Sequence, residues 1–159
     1  MKILQVNKLY PPHLGGIENV VRDIAETLSS DDRFQSDVLV CRAKGKRVRD
    51  NNNNITIFRA GSLGRLFSLP ISLDFFFLFK KISNNYDLLL FHHPFPLASL
   101  ARFIFPNKNK KMAIWYHSDI VRQKILYKLV YPFLYLDLKN ADVIFVSSYR
   151  LAEKSKLLK

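Results

Sequence analysis

Residues 3–18 read ILQVNKLYPPHLGGIE. A short apolar run, 3–6, stops at a segment broken by Pro11, Pro12, Gly15 and Gly16. A helical pattern begins immediately afterwards. Apolar residues fall at 17, 20, 21, 24, 25 and 28, one face of a helix, and the polar stretch 29–32 closes it. A buried strand, a sharp break and an amphipathic helix form the first unit of an α/β fold.

The same alternation continues along the chain. Compact strand-like runs occur at 37–42 (DVLVCR), 55–60 (ITIFRA), 87–92 (DLLLFH), 111–117 (KMAIWYH) and 142–148 (DVIFVSS). Such uninterrupted apolar runs suit parallel strands buried on both faces. Helical segments separate them: a loop then a helix over 63–83 with Pro70 near its start, a proline-led helix over 93–105, and a long helix near 121–139 carrying Pro132. Residues 43–54, AKGKRVRDNNNN, read as a polar basic loop whose asparagines suit an exposed turn. The expectation is one α/β domain over residues 1–159, a Rossmann-like doubly wound parallel sheet of six strands with helices on both faces. Ligands of such sheets bind beyond the carboxyl ends of the strands. The segments to inspect are therefore 8–18, 92–96, 117–119 and 147–150.

Composition narrows the chemistry. Of 159 residues, 48% are hydrophobic, enough for a packed core. The single cysteine, Cys41, excludes an internal disulfide and a cysteine-based zinc site. Lys and Arg number 25 against 13 Asp and Glu, a formal charge of +12, which calls for an anionic partner. No stretch is long and apolar enough to suggest a spanning helix. The segment RLFSLPISLDFFFLFKK (65–81) mixes phenylalanines with flanking cations, as interfacial segments do, and reads equally as a buried helix with a basic end. Nucleic-acid binding has the charge in its favour but no motif, and none is expected.

Two loops stand out. Gly15 and Gly16 precede a helix N-terminus, where glycines let backbone N–H groups approach an anion and the helix dipole adds attraction. A plain tight turn explains the pair equally well. Glu18, in the first turn, suits the dipole. The segment is neither G-x-G-x-x-G nor a G-x-x-x-x-G-K-[ST] phosphate loop, so dinucleotide binding is disfavoured. Three of the four histidines, His92, His93 and His117, end predicted strands and so share one edge of the sheet. No G-x-S-x-G elbow accompanies them and no metal-ligand set is evident. His117-Ser118-Asp119 reads as a polar cluster able to hydrogen-bond sugar hydroxyls or a phosphate.

Together these motifs carry a resemblance. The opening MKILQVNKLYPPHLGGIENVVRDIAETL resembles the start of family-4 glycosyltransferases of the GT-B fold. GRLFSLPIS, HHPFPLASLA and WYHSDIVRQK are similar to segments of bacterial members that build surface polysaccharides, many of them mannosyltransferases. The resemblance implies a retaining transfer of a sugar from a nucleotide-sugar donor to a glycan or lipid-linked acceptor, with no metal or other cofactor. It implies that Gly15 and Gly16 approach the donor diphosphate and that His117 is the active-site histidine. His93, Glu18, Asp119 and Arg122 are implied as cleft-lining residues. In this family a second Rossmann-like domain holds most nucleotide contacts, and this chain has no counterpart to it. The chain is thus expected to be the N-terminal, acceptor-side half, inactive alone. It is expected in the cytoplasm, at the inner face of the cell membrane. The other reading is a non-catalytic basic α/β module that binds anionic membrane or a separate donor-domain partner.

Overall fold

The computed structural model describes residues 1–13, 15–52, 54–66, 69–119 and 124–158, with the backbone alone for 124–127. Nine strands and five α-helices are seen among these residues, with one short 3-10 turn, Ser83–Asn85. The strands are β1 (Lys2–Val6), β2 (Gln35–Cys41), β3 (Val48–Asn52), β4 (Ile55–Ala60), β5 (Gly64–Leu66), β6 (Leu69–Ile71), β7 (Leu88–His93), β8 (Lys111–Tyr116) and β9 (Val143–Val146). The helices are α1 (Gly16–Ser29), α2 (Leu73–Ile82), α3 (Pro96–Ile104), α4 (Lys124–Asn140) and α5 (Tyr149–Lys154).

Seven strands form the central sheet in the order β3-β4-β2-β1-β7-β8-β9. Every pairing is parallel except that of β3 with β4. The six parallel strands are those expected from the apolar runs. Their side chains alternate between two faces. Leu4, Val6, Leu39, Leu89, Phe91, Met112, Ile114 and Tyr116 point to a core shared with α2, α3 and α4. Val38, Val40 and Ile57 pack instead against Val21 and Ala25 of α1. The fold is an α/β layer structure with a mostly parallel sheet and helices on both sides.

Two elements correct the sequence reading. Residues 48–52 are not loop: they form β3, an antiparallel edge strand whose register pairs Asn52 with Ile55 across a two-residue turn. Asn54 takes φ 65°, the left-handed conformation that asparagine tolerates and such hairpins require. The strand is polar because it lies on the edge, where charge discourages pairing with other chains. Residues 64–71, also read as loop, contain the small β5–β6 hairpin. Pro70 is accommodated because only one side of its strand is paired.

Helix α2 begins after that hairpin. Ser72 caps it by accepting from Phe75 N at 3.0 Å. Phe75, Leu78, Phe79 and Ile82 follow at helical spacing and are buried. Phe75 stacks on Phe79 and meets Phe95 edge-on at 5.3 Å. For Phe75 and Phe79 the buried-helix reading of this segment therefore holds, and the interfacial one does not. Phe77, by contrast, is 67% exposed.

Candidate functional site

Strand β1 pairs with β2 on one side and β7 on the other, and β7 pairs with β8. The chain winds outward from β1 to β2 and β4, then returns to lay β7 along the free side of β1. The crevice of a doubly wound sheet opens at that reversal, at the carboxyl ends of the strands. Residues 7–13, the end of β7 and residues 117–119 all leave from this edge. The ends of β1 and β8 are separated by two strand spacings, about 10 Å.

The loop after β1 is held from both sides. Asn7 is buried and donates to Leu9 O at 2.8 Å. Arg59, at the end of β4, donates to Pro11 O at 2.7 Å and pairs with Asp50. Its guanidinium also lies 5.7 Å from the centre of the Tyr10 ring. A cavity of about 360 Å³ beside this loop is lined by Tyr10, His13, Arg42, Lys44, Asp50 and Arg59 among others.

Gly15 is the N-cap of α1 in extended backbone, and Gly16 opens the helix. The two glycines are not equivalent. A Cβ at Gly15 would collide with the Glu18 carboxylate, whereas one at Gly16 would meet nothing within 4 Å. Glu18 is buried and folds back over Gly15, placing the chain's own negative charge against the helix dipole. The Glu18 carboxylate thus takes the Gly15 side of the helix start, and Gly16 is exposed.

The histidines divide by strand alternation. His92 faces the α1 side and His93 the opposite core. His93, expected to line the cleft, is fully buried, with Nε2 at 3.4 Å from Asp137 Oδ2, and Asp137 in turn accepts from Arg102. It reaches the sheet edge only through its carbonyl, which accepts from His117 N at 2.9 Å. His117 is half-buried just beyond β8. Its Nε2 lies 3.0 Å from His92 Nδ1, and its Nδ1 lies 3.4 Å from Ser147 Oγ. His92 Nε2 lies 2.9 Å from Gln5 Oε1, and Gln5 Nε2 donates to Ser36 Oγ at 3.1 Å. Burial pulls the His117 pKa down to about 4, with the neighbouring His93 adding to it. Burial likewise holds His92 well below the ordinary histidine range, with His117 and His93 contributing. Both rings are neutral at pH 7.

Asp119 is tied inward. It accepts from the Tyr116 hydroxyl and from Ser155 Oγ. It thus anchors the segment after β8 to the end of the chain. Arg122 lies outside the described residues. Among the described residues no group of three or more His, Cys, Asp and Glu could hold a metal ion. Sequence reasoning missed Gln5 as a site residue. The signal was present: a glutamine inside an apolar parallel strand must find a buried partner.

The comparisons with known proteins bear on the fold and the family. The family model described as Glycosyltransferase Family 4 matches residues 14–156. The chain is 29% identical over 160 aligned positions to the O-antigen chain mannosyltransferase C of Escherichia coli, covering all of this chain and 43% of that protein. It is also 29% identical to the D-rhamnosyltransferase WbpZ of Pseudomonas aeruginosa, covering all of this chain and 42% of that protein. The chain therefore spans less than half the length of these curated relatives. Among solved structures, a sucrose-phosphate synthase from Thermosynechococcus elongatus superposes with a TM-score of 0.68 at 16% identity. That match covers 92% of this chain and 42% of the synthase.

Proposed function

Because the chain belongs to glycosyltransferase family 4, we propose that it forms the acceptor-side half of a sugar-transfer cleft. The donor is a nucleotide sugar, with mannose or a related hexose as the sugar, and the acceptor is a growing polysaccharide or lipid-linked glycan. The observation that carries this reading is the convergence of Gly16 and His117 on one edge of the sheet at its topological switch. Gly16, exposed at the start of α1, is the side of the turn left to the departing diphosphate, and His117 offers a neutral ring to the sugar. Gly15 supports the same turn, with Glu18 packed over it. Asp119 positions the His117 segment. Stabilising charge on a leaving diphosphate takes donors arranged in advance. One helix end supplies few of them, so a second, donor-gripping domain is required, whether it continues the chain or is a separate partner.

The test is a chimera in which this chain replaces the matching 43% of the E. coli relative. The chimera should transfer mannose from its nucleoside-diphosphate donor, and residues 1–159 alone should not. Efficient transfer by the 159-residue chain alone would contradict the division of labour.

A second observation supports attachment to anionic membrane. Leu63, Leu66, Ile71, Leu73 and Phe77 are exposed together on the β5–β6 hairpin and the start of α2. Arg65, Lys80 and Lys81 flank them, on a chain of net charge +12. No helix among the described residues is long and apolar enough to cross a membrane, so attachment would be peripheral. The chain should sediment with anionic vesicles at low salt and release as salt shortens the Debye length from about 30 Å at 0.01 M to about 3 Å at 1 M. Replacing Leu66 and Phe77 by serine should weaken the sedimentation. Equal binding to neutral vesicles would contradict the electrostatic component.

A further inference from the structure

The polar chain behind His117 has a direction. Gln5 is fully buried on β1, and its amide nitrogen is engaged with Ser36 Oγ. Its remaining group, Oε1, carries no hydrogen and can only accept. The His92 nitrogen facing it at 2.9 Å, Nε2, must then hold the proton. A neutral imidazole has one N–H, so His92 Nδ1 is left as a lone pair. The nitrogen opposite that lone pair, His117 Nε2 at 3.0 Å, must bring the hydrogen. The two rings lie within 15° of coplanar, with centres 5.3 Å apart, so N–H and lone pair meet head-on in the ring plane. What remains on His117 is Nδ1, a lone pair on the half-buried side of the ring. Its neighbour there, Ser147 Oγ, stands at 3.4 Å and donates its own hydrogen to Tyr116 O at 3.3 Å, so it brings none to that lone pair.

We propose that Gln5 and His92 are positioning residues that fix His117 as the Nε2–H tautomer, so that its Nδ1 presents a lone pair to the crevice. The sugar-transfer reading above then gives that lone pair its partner: a hydroxyl of the transferred sugar, donating to His117. In this arrangement His117 orients the sugar, and it has no proton to deliver to the leaving group. The burial that keeps both rings neutral preserves the wiring across physiological pH. Reversal of the Gln5 amide would reverse every bond in the chain and turn His117 into a donor at the crevice, so the two wirings are experimentally distinct.

The test is two-bond 1H–15N correlation of the histidine rings in the 159-residue chain, with no ligand added. His92 and His117 should both show the Nε2–H pattern, the wiring set by Gln5 Oε1 facing His92 Nε2. Gln5→Glu, which keeps an accepting oxygen, should preserve the pattern. Gln5→Met, which removes it, should shift His117 toward a mixture of tautomers. An Nδ1–H pattern on His117 in the unmodified chain would overturn the proposal, and so would a Gln5→Met spectrum identical to the original. The unmodified chain decides the matter even if Gln5→Met fails to fold. The measurement needs no donor, so its failure is separable from failure of the transfer assay.

Discussion

His117→Ala in the active chimera should lower kcat on the order of 10²-fold, the loss typical when one prearranged polar contact to the reacting group is removed. The kcat/KM for donor should fall by at least as much, because a contact that matters in the transition state is lost from both parameters. The fold should survive. His117 lies beyond the end of β8, outside the hydrophobic clusters, and its side chain is only half-buried. The substitution leaves His92 Nδ1 without its partner, at a cost of about 1–3 kcal/mol if water does not replace it. An urea midpoint and a far-UV spectrum on the same preparation separate this modest loss from unfolding. Full activity in His117→Ala would make the histidine structural and remove the main catalytic assignment.

The legible and illegible parts of the sequence differ for physical reasons. The parallel strands β1, β2, β7 and β8 could be read because burial on both faces forces apolar runs such as VLV at 38–40 and LLLF at 88–91, and the edge strand β9 because its run VIFV is equally apolar although largely exposed. Strand β3, VRDNN, could not, because an edge strand has no buried face to betray its period. The β5–β6 hairpin was hidden behind Pro70, ordinarily a sign against a strand. At the site, the edge of the sheet could be read from the positions of the histidines. Which of them faced the crevice could not. Adjacent residues in a strand point to opposite faces, so His92 and His93 were bound to separate, yet only the packing of Asp137 and Arg102 beneath the sheet shows that His93 went inward. The glycine pair looked uniform in sequence. Its asymmetry comes from Glu18 folding back over Gly15, a side-chain conformation that the spacing does not specify.

In the proposed function this chain meets its donor at the carboxyl edge of β1, β7 and β8. The sheet offers a rival location. At its opposite edge a cavity of about 690 Å³ is lined by Arg102, Lys108, Lys110 and Lys111 among others, together with Asp137 and Asp142. Its cations would attract a diphosphate as readily as charge alone could, and net charge does not choose between the two places. The reading of the first edge rests on an exposed Gly16 at the start of α1, with the Glu18 carboxylate over Gly15, on a half-buried histidine, and on the rule that doubly wound sheets bind at their carboxyl-end crevices. Amide hydrogen exchange in the active chimera, with and without the donor it turns over, distinguishes them directly. Donor-dependent slowing is expected in peptides spanning 8–19 and 115–119, with residues 102–111 unchanged. Slowing confined to 102–111, with the glycine loop and His117 segment unaffected, would contradict it.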